Sequence, residues 1–538
     1  MPWNYGDILD AISSAVPSDA PALAHGGKII TNGEANKRSN NLARALLRRG
    51  ATTHDKIAFY MRNRPEYIET LAACFKARLT HVNINYRYNA DEVFYIFDDS
   101  DAQTVVYGAE FRNIIMELKG RLAKVKTFIE INENGDCPSF AENFENLARE
   151  GDGAPLGIER SKDDLLFIYT GGTTGMPKGV MWRHDDLREA QLSALRVLGP
   201  TPETLPDLVR SIREGGPGPV FLPACPLMHG TGLLTAIGNM MSGGCIATLQ
   251  KPSFDAHELW AAVERHKVNS MAIVGDAFAR PMLSALDEAP ARYDLSSLVT
   301  IVSSGVMWST ETKRRLIGHI PQVVLADSFG ASEGLGFGTS LTTKDGEVQT
   351  ARFQIGGRCR VFDDNDKEVL PGSGKPGVIA MAPPIPLGYY KDPEKTAKAF
   401  RTIDGVRYSI PGDWCLVEAD GSLTLLGRGS VCINTAGEKV YPEEVEEALK
   451  THPSVEDALV VGVPDEKWGQ AVTGVVKLAP EARVAVDELR KHVRKQLAGY
   501  KTPKNILLAD VELRAPNGKA DYKAVTSFAR RELGLVDL

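Results

Sequence analysis

The chain lacks any run of about 18 uninterrupted apolar residues, the length a membrane-crossing helix needs. Its start, MPWNYGDILDAISSAVPSD, lacks the basic opening and apolar core of a secretory signal. A cytoplasmic protein with no membrane span is therefore expected. Positive charge is also lacking. The formal net charge is -7 and no dense Lys/Arg run with interleaved aromatics occurs, which argues against a nucleic acid partner. Cysteine is sparse: the seven, at 74, 137, 225, 245, 359, 415 and 432, are odd in number and form no C-x-x-C pair or Cys/His cluster of zinc-like spacing. Reduced, packed thiols are expected. Cys225 lies near a motif discussed below but has no evident partner base for thiol catalysis. Internal repeats and low-complexity tracts are absent.

What the sequence does hold is alternation. Strand-like runs at Ile57–Tyr60, Thr104–Tyr107, Leu165–Tyr169, Met271–Val274 and Val299–Val302 recur between amphipathic helical stretches through the first 430 residues, the pattern of α/β layers. Ala35–Arg49 carries Leu42, Ala45 and Leu46 at helical spacing and stops at Gly50, a residue suited to a left-handed cap. Leu198–Val220, with five prolines and four glycines around a short helical piece, reads as a surface insertion. The character changes near residue 430. Pro442 stands at a first helical position, helix Glu443–Lys450 is stopped by Pro453, and strand Leu459–Val463 and helix Val486–Leu497 follow. These fit a small α+β domain of about 110 residues.

The most informative segment is Tyr169-Thr-Gly-Gly-Thr-Thr-Gly-Met-Pro-Lys-Gly-Val180. Gly171, Gly172, Gly175 and Gly179 let backbone N–H groups turn toward an anion. Thr170, Thr173 and Thr174 add hydroxyls and Lys178 adds a point charge, which together equip the segment to hold a triphosphate. It is not a Walker A loop, because Pro177 stands where that motif needs Gly directly before the Lys.

The segment resembles the phosphate-binding signature [YF]-T-S-G-T-T-G-x-P-K-G of the adenylate-forming superfamily, which contains acyl- and aryl-CoA synthetases, peptide adenylation domains and beetle luciferases; Gly171 replaces the Ser. The resemblance continues in order along the chain. Phe329-Gly330-Ala-Ser332-Glu333 is similar to Y-G-x-T-E, which implies an aromatic ring on adenine, a hydroxyl near phosphate and a carboxylate on Mg²⁺, with Asp327 just upstream among the nucleotide-binding positions. Gly412-Asp413 resembles the T-G-D motif whose aspartate accepts both ribose hydroxyls, with Pro411 for Thr. Gly427-Arg428-Gly-Ser430 resembles G-R-x-[DK], which places Arg428 at the ribose or phosphate and Ser430 at the hinge, where Asp or Lys is usual. Gly437 and Lys439, in Gly437-Glu-Lys-Val-Tyr-Pro442, match the face that meets coenzyme A, and Pro516-Asn-Gly-Lys519 the loop of the catalytic lysine.

The resemblance thus implies an ATP-dependent acyl-CoA synthetase that forms an acyl-adenylate and then a thioester, using ATP, Mg²⁺ and coenzyme A, with Thr170, Glu333 and Lys519 in catalysis. The implied fold is a large multi-subdomain α/β adenylation domain (1–427), a hinge (428–430) and a small mobile α+β domain (431–538). His229, Gly230, Thr231, Asp276, Gly305 and Gly334 fall at or beside positions that line the acid channel, and small residues there leave volume for a wide apolar ligand. The wording of Tyr169–Val180, Ser303–Trp308 and Gly427–Pro442 is similar to bacterial ligases for fatty acids and steroid or terpenoid side-chain acids. A medium-to-long or polycyclic monocarboxylate is expected, and a homo-oligomer is possible.

Other readings compete. An acyl-AMP ligase delivering to a carrier protein shares the same motifs. An amino-acid adenylation domain should offer an aspartate to the substrate ammonium, and Leu227–Gly232 has none; Asp276 is the acid that the resemblance places beside the pocket. A serine hydrolase is the reading from another class: Gly330-Ala-Ser-Glu-Gly334 matches G-x-S-x-G and His229-Gly-Thr-Gly232 imitates an oxyanion loop. It requires Ser332 at a strand-to-helix elbow.

Overall fold

A computed structural model of the protein describes residues 3–132, 135–172, 175–196, 199–306, 308–346, 352–428, 433–435, 438–465, 469–497, 499–515 and 519–535. The chain divides into two compact units, Met1–Thr350 with Met381–Ser409, and Ala351–Ala380 with Ile410–Leu538.

One sheet of the first unit runs, edge to edge, Gly388–Tyr389, Gly175–Arg183, Leu165–Gly172, Thr80–Asn83, Lys56–Tyr60, Ala102–Gly108, Thr127–Ile131 and Glu142–Asn143. The strands from Leu165–Gly172 onward pair in parallel. Parallel neighbours need crossover connections, and helices Pro65–Ala77 and Ala90–Asp99 supply two of them. Helices on the faces bury such strands on both sides, which is why they read as continuous apolar runs: Thr80–Asn83 is buried throughout. A second sheet runs Lys28–Thr31, Pro21–His25, Ile246–Thr248, Phe221–Pro223, Ser270–Ile273, Thr300–Ser304, Val324–Ala331 and Gly334–Thr342, parallel through its centre and ending in an antiparallel hairpin. Trp260, Met271, Ile301, Trp308 and Leu325 fill its core.

All five strand-like runs of the first unit overlap strands, with ends displaced by up to three residues: Leu165–Tyr169 continues to Gly172, and Val274 and Val299 fall just outside theirs. The helix expected over 35–49 begins earlier, at Asn32, because the Thr31 hydroxyl accepts the Glu34 N–H and caps it. Segment 198–220 departs from the expectation of a plain surface insertion. Its helix, Leu205–Gly215, buries Leu208 and Ile212, four residues apart, and packs against helix Tyr5–Ala15.

Two buried histidines tie this unit's stability to pH. His81 is fully enclosed: its Nδ1–H donates to the Phe167 carbonyl at 3.1 Å, and its Nε2 meets the Tyr67 hydroxyl at 2.9 Å. His184 is enclosed by the rings of Tyr5 and Phe75, 5.0 and 4.9 Å away. Burial disfavours the imidazolium and pushes them down to about 3 and about 4, against 6.5 in the open chain. Between those values the unfolded chain binds more protons than the native state, so stability is held above pH 6.5 and lost as pH falls below it. Two such groups should together cost about 2 kcal/mol between pH 6.5 and 5.5. Urea unfolding across that range measures the loss, and His184→Phe should make the slope shallower; an unchanged slope would mean that His184 does not carry it.

The second unit holds an antiparallel set in which Asp413–Val417 lies between Pro376–Met381 and Leu423–Arg428. A smaller sheet follows, ordered Glu438–Val440, Ile433–Thr435, Gly469–Leu478, Val455–Asp465, with Asn505–Leu508 added in parallel to Gly469–Leu478. Strand Val455–Asp465 alternates. Ala458 and Val460 pack with helices Pro442–Lys450 and Val486–Gln496, whereas Leu459, Val461 and Val463 pack with helix Tyr522–Glu532. The expected α+β character of this region is what the chain adopts, with Pro442 opening its helix as anticipated. Among the described residues, no helix is long and apolar enough to cross a membrane.

Candidate active site

The Gly/Thr-rich segment is a β-hairpin. Strands Leu165–Gly172 and Gly175–Arg183 pair antiparallel, with Tyr169 opposite Gly179, Thr170 opposite Lys178 and Gly172 opposite Gly175. Thr173 and Thr174 lie outside the described residues, and of Gly171, Gly172 and Gly175 only the backbone course is described. Two contacts set the base of the hairpin. The Tyr169 ring packs so closely on Gly179 that a Cβ there would stand 2.7 Å from it, so only glycine fits. Buried Asn83 then exchanges both amide bonds with the Tyr169 backbone, accepting its N–H at 2.7 Å and donating to its carbonyl at 2.9 Å. The same Asn83 amide donates to the Met228 carbonyl at 2.6 Å, joining the phosphate strand to the turn before His229.

Ser332 and Glu333 occupy the tip of the second hairpin, between Ala331 and Gly334, which pair. The Glu333 carboxylate accepts the Tyr389 hydroxyl at 2.7 Å, and the Lys178 ammonium lies 4.8 Å from the centre of the same ring. Tyr389 reaches this place because Gly388–Tyr389 pairs with the lysine's own strand, Tyr389 opposite Val180. Trp182, fully buried on that strand, donates its indole N–H to the Ser332 carbonyl at 2.8 Å. Lys178, Glu333 and Tyr389 are thereby gathered at one place from three segments. The arrangement also corrects the hydrolase reading. Ser332 sits in a turn between antiparallel strands, so the strand-to-helix elbow that exposes a nucleophilic serine is not formed.

Phe329 is buried on strand Val324–Ala331, its ring 5.4 Å from that of Phe337, with Gly330 next to it. Asp327, on the same strand, forms an ion pair with fully buried Lys313 of helix Thr310–His319. Burial raises the Asp327 carboxyl above its usual range, with Asp276 adding to the shift and Lys313 opposing it. Among the expected acid-channel positions, Gly305 lies beside Thr231, and Gly230 beside Ser332. A Cβ at Gly305 would lie 3.8 Å from the Thr231 hydroxyl, and one at Gly230 would lie 3.5 Å from the Ser332 hydroxyl. His229 stands at the N-cap position of helix Gly230–Met240, without a side-chain capping bond. Gly334 and Gly232 are small for another reason. A Cβ on Gly334 would meet the Phe337 ring at 2.9 Å, and one on Gly232 the Pro226 carbonyl at 2.6 Å, so both serve close packing rather than open volume. Asp276 opens helix Asp276–Glu288, where its carboxylate accepts the Ser309 N–H at 3.2 Å and pairs with Arg280 at 3.5 Å. Those contacts stabilise a helix start.

In the second unit, buried Asp413 lies opposite the backbone of Arg428 on the neighbouring strand, which puts two residues fifteen positions apart in sequence side by side. The backbone of Lys439 pairs with Asn434, and Lys519 is exposed on a short hairpin. Ser430 and Gly437 lie outside the described residues, as do the side chains of Arg428 and Lys439. Sequence reasoning missed Tyr389, Asn83, Trp182 and Lys313. Each acts on a segment remote in sequence, and Gly388-Tyr-Tyr alone reads as an ordinary strand.

Comparison with known proteins places these features. The family model described as AMP-binding enzyme matches residues 11–390, and that of the AMP-binding enzyme C-terminal domain matches residues 444–519. A 3-oxocholest-4-en-26-oate–CoA ligase of Rhodococcus rhodochrous is 40% identical over 99% of this chain and 97% of its own length. A medium/long-chain-fatty-acid–CoA/3-oxocholest-4-en-26-oate–CoA ligase of Mycolicibacterium smegmatis is 40% identical over 97% of this chain and 96% of its own. The fold is similar to that of the anthranilate CoA ligase AuaEII solved with anthranoyl-AMP, with a TM-score of 0.84 at 21% identity, covering 99% of this chain and 98% of that one.

Proposed function

We infer the reaction from one premise: the chain belongs to the AMP-binding enzyme family. It is an AMP-forming acid–thiol ligase that joins a carboxylic acid to ATP, releases pyrophosphate, and passes the acyl group from the adenylate to coenzyme A. The observation that carries the site assignment is the convergence of Lys178, Glu333 and Tyr389 beside the Gly/Thr hairpin. Attack of a carboxylate on the α-phosphate brings anions together, so the site must supply positive charge and oriented donors. Lys178 supplies charge and Thr170 a hydroxyl.

The donor set fits Mg²⁺. Among the described residues no cluster of three acidic, His or Cys ligands forms a cage, and Mg²⁺ is typically held by one or two carboxylates together with substrate phosphates. Glu333 is such a carboxylate, and the ion it would hold neutralises phosphate charge. Tyr389 orients Glu333 through its hydroxyl, a bond to a charged acceptor worth about 1.5 to 3 kcal/mol. Tyr389→Phe should therefore lower adenylation kcat/KM about tenfold and raise the Mg²⁺ concentration for half-maximal rate. An unchanged Mg²⁺ dependence would sink the orienting role.

The same reading assigns residues 1–427 to adenylation, 428–430 to a hinge and 431–538 to a mobile domain, with Asp413 and Arg428 at the ribose and Gly437 and Lys439 at coenzyme A. For the acid, we favour a medium-to-long-chain or polycyclic monocarboxylate. A Cβ at Gly305 or Gly230 would meet the Thr231 or Ser332 hydroxyl only at ordinary van der Waals distance, 3.8 and 3.5 Å, and the relatives at 40% identity are named for a steroid side-chain acid and for fatty acids. ATP–pyrophosphate exchange over fatty, aryl, amino and polycyclic acids, followed by addition of coenzyme A, tests the assignment. Exchange confined to amino or short acids would overturn it, as would adenylate that coenzyme A does not consume.

A further inference from the structure

The hairpin that bears Lys519 is fastened at its base. The Ala515 N–H donates to the Lys519 carbonyl at 2.9 Å, the Asp521 N–H donates to the Leu513 carbonyl at 3.2 Å, and Arg514 and Ala520 pair across the turn. Leu513 anchors one arm in the core beside Val461 and Val525. On the other arm Asp521 caps helix Tyr522–Glu532, accepting the Ala524 N–H at 2.9 Å. What ties the turn sideways to the sheet is Arg514. Its guanidinium donates from Nε to Asp457 Oδ2 at 2.7 Å and from a terminal nitrogen to Oδ1 at 2.9 Å.

We propose that Arg514 and Asp457 form a clasp that positions Lys519 for the adenylation step. This rests on the reading of Lys519 as the lysine of that step. A bidentate pair fixes direction as well as distance, because the planar fork meets both carboxylate oxygens at once. It is also poorly solvated: the two side chains are 21% and 19% exposed. Burial would raise the Asp457 carboxyl, yet the Arg514 bonds and charge outweigh it and hold Asp457 below the usual range. Other groups facing Arg514 include Glu446 and Lys450, both on helix Pro442–Lys450, and Tyr522. Burial and the neighbouring Glu443 carboxylate push Glu446 up to about 8, against the Val460 N–H that it accepts at 2.9 Å and the charges of Lys450 and Arg514. Arg514 stands five residues before Lys519 on the opposite arm, so a shift of the guanidinium passes directly to the lysine's own strand.

Misplacing a catalytic group by about 1 Å costs up to about 100-fold, so Arg514→Met should lower the ATP–pyrophosphate exchange rate by roughly 10- to 100-fold. Thioester formation from synthetic acyl-adenylate and coenzyme A should stay near the native rate. Asp457→Asn, which keeps the shape and removes the charge, should show the same split. The double variant should lose no more than the worse single one, since both remove one clasp. Equal loss in both half-reactions, additive losses, or a native exchange rate in Asp457→Asn would each overturn the clasp. If Arg514→Met does not fold, Arg514→Lys, which keeps the charge but not the fork, gives the comparison. Lys519→Ala is the reference: if it too spares exchange, the reading of Lys519 fails, whereas loss in Lys519→Ala with none in Arg514→Met refutes the clasp alone.

Discussion

Lys519→Ala is expected to lose adenylation by about 100-fold or more while retaining thioester formation from synthetic acyl-adenylate, taking the loss of one oriented donor as the scale. Lys519 is exposed, between one arm held by the core at Leu513 and another held by the helix cap at Asp521. Such a lysine has no core to support, so its removal should leave folding intact. A positive charge is useful where the oxygens of ATP acquire charge in the first step. Exchange of labelled pyrophosphate reports the first step, and thioester release from supplied adenylate reports the second. Equal loss in both would end the assignment of Lys519 to the first alone.

The division between what the sequence revealed and what it hid follows from range. Strands such as Ile57–Tyr60 and Leu165–Tyr169 were legible because a parallel strand buried on both faces is a local apolar run. The phosphate hairpin was legible because its glycines and threonines lie within twelve residues. Tyr389 was not, because its meaning depends on pairing with a strand some two hundred positions earlier and on a carboxylate at 333, and nothing in its own neighbourhood records either. Lys313 is similar: a lysine within Thr310–His319 reads as a solvated helix residue until the strand carrying Asp327 is laid against it. Gly334 misled in the opposite sense. Its smallness suggested room for a ligand, and the fold gives that room to Phe337.

Gly305 is the position at which substrate size should be most open to manipulation. It follows strand Thr300–Ser304 with φ +88, a conformation that costs a side-chain residue about 1 to 3 kcal/mol wherever it occurs. Beyond that strain, and its chain neighbours aside, an added Cβ would meet among the described residues the Thr231 hydroxyl at 3.8 Å, so the first carbon fits and the rest of a large side chain enters the space assigned to the acid. Two variants separate these effects. Gly305→Ala carries the backbone strain with almost no volume and should lower kcat/KM by a similar factor for every acid. Gly305→Trp adds bulk, and its clash should grow with the substrate: about 100-fold or more is expected for the best polycyclic or long-chain acid, beyond the alanine effect, against a few-fold for butanoate. Lys178 and Glu333, proposed to meet the nucleotide, lie on other segments, so KM for ATP should hold in both variants. Pyrophosphate release at saturating ATP gives the comparison, with circular dichroism confirming the fold. If tryptophan and alanine depress short and bulky acids alike, Gly305 does not set the depth of the acid site, and a large substrate loses its main support in this chain's own residues.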